Sequence, residues 1–379
     1  MPKSLRTSAI LTANGYLFLL ILFSVELSIH SAHNVIWWII GAFTVFAYIL
    51  WELWRSLAKN HPPESKTVNQ SLGLPTQITL TRGFLIAVVG GFVLFPAMEG
   101  WMRWVPGIAY LLTAILDALD GYAARKLDRI TQLGQILDNK FDALGTLIAV
   151  LLGITLGKLP LWYIIVGIAY YLFIAGQWLR RRLDRTVYDL HQDRRRSVFA
   201  GIQMAFLGIV ILPVYSAEST FLAAVAFFIP TAFMFARDWL VTSGVLSPDE
   251  DSYQRKADFA RNLLSFMLLP VLRLVLFCTF VYSCILTARY TAFPAFGLSQ
   301  PVVAAIIAGC LTLILFGFGG RVAAAAALLL LGAVAGGVSV LSVTGILFFG
   351  VIIILLFGTG KFSIWQPEEA ILFGNSHTD

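Results

Sequence analysis

Charge, histidine and cysteine are all scarce in this chain of 379 residues. Only 13% of the residues are Asp, Glu, Lys or Arg, too few to clothe a soluble protein of this length in polar surface. The three cysteines, Cys278, Cys284 and Cys310, stand in apolar segments. Their spacing fits neither a zinc site nor a disulfide framework, so they read as packing residues. Two of the five histidines, His30 and His33, share a short loop; with no further ligand nearby, it reads as a solvated turn. No Ala-x-Ala cleavage site follows the first apolar run, 10–29. That run is also too long for a signal peptide, so it reads as a retained span that starts from the cytoplasm behind Lys3 and Arg6.

What is abundant is apolar. Hydrophobic residues make up 58% of the chain and the mean hydropathy is +0.81, which predicts an all-α, polytopic integral membrane protein. A net charge of +6 and a pI near 9.3 would suit a nucleic-acid partner, but the basic residues sit beside apolar spans, where the positive-inside rule accounts for them. Nucleic acid is therefore excluded. About twelve spans can be drawn: 10–29, 35–54, 83–96, 104–125, 134–156, 159–178, 198–215, 220–239, 262–286, 301–318, 322–340 and 344–357. An even number leaves both termini in the cytoplasm. Trp37, Trp38, Trp51 and Trp54 suit interfacial belts. The linker His61-Pro62-Pro63-Glu64 closes an N-terminal pair of helices, 1–66, and the charged linker 247–261 precedes a four-helix C-terminal module, 262–358. The spans of that last module hold no carboxylate or histidine, so it offers no catalytic constellation.

The chemistry is concentrated in Leu116 to Asp142, LDALDGYAARKLDRITQLGQILDNKFD. On a helix, Asp117, Asp120, Gly121, Ala124 and Arg125 fall within an arc of about 140°. Gly134, Asp138 and Asp142 make a second stripe at i, i+4 and i+8. A polar turn over Lys126 to Leu133 would let the stripes face one another. Four carboxylates at close range repel, the more so in a low dielectric, and need a cation. With neither His nor Cys in the stretch, the ligands are all oxygen, which suits Mg²⁺, Mn²⁺ or Ca²⁺ and argues against Zn²⁺. Two divalent ions would balance the charge, and such a pair serves displacement at phosphorus. Gly121, Ala124 and Gly134 leave room for a ligand to reach the backbone.

The spacing Asp117-x2-Asp120-Gly121-x2-Ala124-Arg125-x8-Gly134-x3-Asp138-x3-Asp142 resembles the signature of the CDP-alcohol phosphotransferases (CDP-alcohol phosphatidyltransferases), with all eight positions present. The resemblance covers roughly 75–243 and implies a core of six transmembrane helices. Pro75, Thr79 and Arg82 match the short interfacial segment that precedes the first core helix in that family, while Thr76 stands where the family often has asparagine.

The resemblance implies an enzyme of phospholipid synthesis. It would transfer a substituted phosphate from a CDP-linked donor, CDP-diacylglycerol for preference, to an acceptor alcohol and release CMP. Asp117, Asp120 and Asp138 would be the principal ligands of two Mg²⁺ or Mn²⁺ ions, with Asp142 beside them as base for the acceptor hydroxyl. Gly121, Ala124, Arg125, Gly134, Thr79 and Arg82 would line the nucleotide. By the same resemblance Arg181 and Arg196 are the nearest equivalents of residues that hold a phosphorylated acceptor, and a homodimer is expected. As a bare sequence the run Arg180 to Arg196 reads equally as a basic loop drawn to anionic lipid. Threading the core from a cytoplasmic Arg82 puts the aspartates at the cytoplasmic face, beside Arg125, Lys126 and Arg129.

Three other readings compete. A soluble CDP-alcohol with a lipid acceptor would use the same residues. A cation transporter would explain intramembrane aspartates, but the acids cluster at one face and no charges continue across. A scaffold that has lost activity is at odds with the survival of all four acids.

Overall fold

The computed structural model describes residues 2–30, 35–65, 67–95, 98–126, 131–190, 194–247, 251–286, 299–334 and 343–366. Helix accounts for 83% of the structure, and among the described residues the only β pairing is a bridge between Phe318 and Trp365. The protein is thus an all-α polytopic membrane protein. Among the described residues, seven helical stretches are long and apolar enough to cross a bilayer, and four shorter apolar helices accompany them. His33 lies outside the described residues.

The chain divides into two compact units, Met1–Tyr171 with Met204–Pro213, and Leu172–Gln203 with Val214–Asp379. The first contains α1 (Lys3–His30), α2 (Val35–Ser56), α3 (Leu74–Leu94), α4 (Val105–Lys126) and α5 (Gln132–Thr155). It also takes the first part of α6 (Ile164–Arg182) and the last part of α7 (Arg194–Ile211). The second holds the remainder of those two helices with α8 (Ala217–Thr242), α9 (Asp251–Leu263), α10 (Leu269–Leu286), α11 (Gln300–Phe316), α12 (Gly320–Val334) and α13 (Val343–Phe357).

In the first unit α3 is the central helix, packing against α2, α4 and α5. Pro75 stands in its first turn, where a missing N–H leaves no bond unmade. Nothing between 76 and 82 breaks the helix, so the expected interfacial segment is the first two turns of α3 itself. Thr79 and Arg82 consequently share one rigid face at i, i+3. The α2–α3 seam is close. A Cβ on Gly41 would stand 2.7 Å from the Gly90 carbonyl oxygen, the small-residue packing that membrane helices use where lipid supplies no hydrophobic drive.

Trp38 departs from the interfacial role expected of it. It is fully buried, its ring 5.1 Å from Phe23 and 6.1 Å from Phe92, because Gly91 offers no side chain and the indole fills the space. Trp37, Trp51 and Trp54 remain outward and more than half exposed.

In the second unit, α10 to α13 pack as a bundle and α13 also lies against α8. Gly317 ends α11 in the left-handed region at φ 64°, which lets the chain turn at once into α12.

Candidate active site

Three helices of the first unit bring the site together. From α3 come Thr79 and Arg82, from α4 Asp117 and Asp120, and from α5 Asp138 and Asp142. The side chain of Thr131 caps α5 by accepting a hydrogen bond from the Gly134 N–H at 3.1 Å, and this satisfies one of the donors a helix start leaves open. Four residues after Gly134 the helix presents Asp138, and one turn later Asp142.

Arg82 is the hub. Its guanidinium is wholly buried, lies 2.8 Å from Asp117, and is hydrogen-bonded to Asp138 through Nη1 and to Asp142 through Nη2. The three acids each keep about a third of their side chain exposed. The result is a ring of carboxylates with a buried cation behind it and an open side in front. One carboxylate oxygen from each of Asp117, Asp138 and Asp142 lies within 4.8 Å of the others. That separation and the all-oxygen donor set fit a hard divalent cation.

Asp120 stands apart from this group of three. It is nearly buried and accepts a hydrogen bond from the Thr79 hydroxyl, whose oxygen also lies 3.1 Å from the Pro75 carbonyl oxygen. Gly121, Ala124 and Arg125 are helical positions in the last turns of α4; their side chains lie outside the described residues. Gly134 sits in the first turn of α5, where a Cβ would meet Thr131 Oγ1 at 3.3 Å.

The remaining candidates belong to the second unit. Arg181 is exposed in the last turn of α6. Arg196, in the first turn of α7, has its Nε 3.2 Å from Asp238 Oδ2 on α8.

Two features escape a reading of the motif alone. The α4 and α5 stripes do bring Asp117 to Asp138 and Asp142, but the motif does not show that α3 packs on both helices and places Arg82 behind the acids. Thr131 carried a usable signal, a hydroxyl residue just ahead of an apolar periodic run.

Residues 72–243 match the model of the CDP-alcohol phosphatidyltransferase family. A CDP-diacylglycerol–inositol 3-phosphatidyltransferase of Schizosaccharomyces pombe is 38% identical over 86 residues, which are 22% of this chain and 32% of that protein. A CDP-diacylglycerol–glycerol-3-phosphate 3-phosphatidyltransferase of Bacillus subtilis is 34% identical over 115 residues, 27% of this chain and 58% of the other. An archaetidylinositol phosphate synthase of Pyrococcus horikoshii is 36% identical over 93 residues, 24% of this chain and 46% of the other. The chain thus spans between about a third and three-fifths of the length of these relatives. No solved structure gives a significant match.

Proposed function

We propose that this chain, whose residues 72–243 match the CDP-alcohol phosphatidyltransferase family, transfers a phosphatidyl group from CDP-diacylglycerol to an acceptor alcohol and releases CMP. The observation that carries this reading is the convergence of Asp117, Asp138 and Asp142 within 4.8 Å, a spacing that fits a divalent cation. The names of the relatives support a CDP-linked lipid as donor.

Asp117, Asp138 and Asp142 would hold Mg²⁺ or Mn²⁺, with Asp120, one turn along α4 from Asp117, as a further ligand. Metal bound there supplies charge neutralisation for a diphosphate. Asp142 takes the proton of the acceptor hydroxyl, whose oxygen forms a bond to the phosphorus that carries the lipid as the bond from that phosphorus to CMP breaks. Arg82, buried behind the ring and bonded to Asp117, Asp138 and Asp142, steadies the acids from the side away from the nucleotide. Arg125 and the backbone at Gly121, Ala124 and Gly134 receive the nucleotide. Positioning and charge neutralisation account for most of the acceleration in such a displacement.

The basic clusters Arg125–Lys126, Arg180 to Arg182 and Arg194 to Arg196 support a site at the cytoplasmic face with both termini inside. Arg181 and Arg196 serve a phosphorylated acceptor, since guanidinium matches phosphate oxygens. A homodimer is the expected assembly, and light scattering in detergent tests it.

The experiment is CMP release by purified protein given CDP-diacylglycerol and Mg²⁺, with glycerol 3-phosphate, inositol phosphate, inositol and serine offered singly. Release with one phosphorylated acceptor supports the full reading. Release only with free inositol or serine removes the role of the two arginines. Release from CDP-choline with diacylglycerol, and not from CDP-diacylglycerol, overturns the choice of donor.

A further inference from the structure

Sequence composition sets the first two helices apart from the domain that follows, yet they are built into its site helices. Lys140 lies on α5 midway between Asp138 and Asp142, about 200° around the helix from either, so it points away from the carboxylate ring. There its ammonium is bonded to Glu52 of α2. Glu52 is 3% exposed in its side chain and Lys140 27%, so the pair is largely removed from solvent. Tyr48 of α2 and Tyr170 and Tyr171 of α6 lie within electrostatic reach of the same carboxylate.

Packing reinforces this bond. Gly83, next to Arg82 on α3, is where α2, α3 and α5 meet: a Cβ there would stand 2.9 Å from Phe141 Cε2 and 3.2 Å from Ile49 Cγ2. Phe141 is the residue before Asp142. The linker after α2 adds a further tie, since the His61 carbonyl accepts the Gln132 N–H in the first turn of α5 at 3.0 Å. Helix α1 is fastened to α3 in the same region. Gln77 Nε2 donates to Thr12 Oγ1 at 3.1 Å, and the Tyr16 and Thr81 hydroxyls are bonded at 2.7 Å.

We infer that Glu52 is a positioning residue for the reaction: through Lys140 it fixes the rotation of α5 from behind, and so aims Asp138 and Asp142 at Asp117. Asp138 and Asp142 leave α5 on one side and Lys140 on the other, so turning the helix about its axis moves all three. A buried ion pair resists that turn more than apolar contact does, because separating the partners strands a charge in a low dielectric. The N-terminal helices are therefore part of the catalytic unit. This rests on the reading of Asp138 and Asp142 as metal ligands.

The test compares wild type with Glu52→Gln, Glu52→Asp and the exchanged pair Glu52→Lys with Lys140→Glu. Each is purified in detergent, checked for folding by its thermal midpoint, titrated with Mn²⁺ alone by electron paramagnetic resonance, and assayed for kcat and acceptor KM. Folded Glu52→Gln should bind Mn²⁺ on the order of tenfold more weakly, in the range seen when outer partners of metal ligands are removed. Its kcat should fall in parallel with acceptor KM unchanged, while Glu52→Asp and the exchanged pair recover part of both. Wild-type Mn²⁺ affinity in folded Glu52→Gln overturns the inference, and so does failure of both rescuing variants. If Glu52→Gln does not fold, Lys140→Gln breaks the same bond from its more exposed end, and unchanged Mn²⁺ affinity there counts equally against it. Should wild type bind Mn²⁺ and release no CMP, the transferase reading fails while the positioning of the ring is still measured.

Discussion

Arg82 on α3 and Asp117 on α4 form an ion pair at 2.8 Å in which the guanidinium is fully buried and the carboxylate a third exposed. The same guanidinium holds Asp138 and Asp142, so one cation organises acids from two other helices. Replacing it with Gln leaves three acids facing one another without that charge. Arg82→Gln should melt several degrees below wild type in metal-free buffer and gain more than wild type when Mg²⁺ is added, since an ion bound only by the folded state stabilises it. Thermal shift with and without Mg²⁺ reads both. Turnover should fall on the order of a hundredfold, the loss typical when a preorganised donor is removed.

Thr79 makes a second, smaller prediction. Its hydroxyl is the hydrogen-bond donor to Asp120 and is anchored to the Pro75 carbonyl. Thr79→Val keeps the shape and removes the donor. Activity should drop on the order of tenfold while Thr79→Ser retains most of it. Assays of both at saturating Mg²⁺ decide, and equal activity in the Val variant would show that Asp120 is held by other means.

Gly83 tests the packing behind the ring. An added methyl would press on Phe141 and Ile49, two well-packed side chains with little freedom to yield. Gly83→Ala should destabilise the folded protein by about 1–3 kcal/mol, the usual range for overpacking. Its thermal midpoint should fall, and Mn²⁺ affinity with it, because Phe141 neighbours Asp142.

Lys158 gives a pH dependence away from the site. It lies between α5 and α6 and donates to the Leu212 carbonyl, and burial pushes its ammonium down to about 8. Between that value and the usual lysine range the unfolded chain binds more protons than the folded one, so stability rises with pH across this window and is flat below it. The thermal midpoint of wild type should climb from pH 8 to pH 10 relative to Lys158→Met. Parallel pH curves for the two proteins would refute the assignment.

Much of this was legible in the sequence because the motif is local. Asp117, Asp120, Gly134, Asp138 and Asp142 lie on two adjacent helices, and helical periodicity alone aligns each set on one face. The class of protein followed from composition. What could not be read depends on distant partners: Thr79 and Asp120 are 41 positions apart, Arg82 and Asp142 are 60, and Lys140 and Glu52 are 88. No periodicity links residues across such gaps. Arg82, expected to line the nucleotide, instead ties α3 to acids of both α4 and α5. Trp38 misled for a related reason, since its burial depends on Gly91 in another helix. The short segment expected ahead of the first core helix is continuous with it, because Pro75 in a first turn starts a helix without costing a hydrogen bond.

The most direct test of the account is CMP formation from CDP-diacylglycerol by wild type and by Asp142→Asn, each with an effective acceptor, at increasing Mg²⁺. The account predicts acceptor-dependent CMP release that vanishes with chelator in wild type, and loss of turnover on the order of a thousandfold in a folded Asp142→Asn protein, within the range for removing a catalytic base. Turnover in Asp142→Asn equal to wild type, or CMP release in wild type that is indifferent to divalent metal, would contradict it.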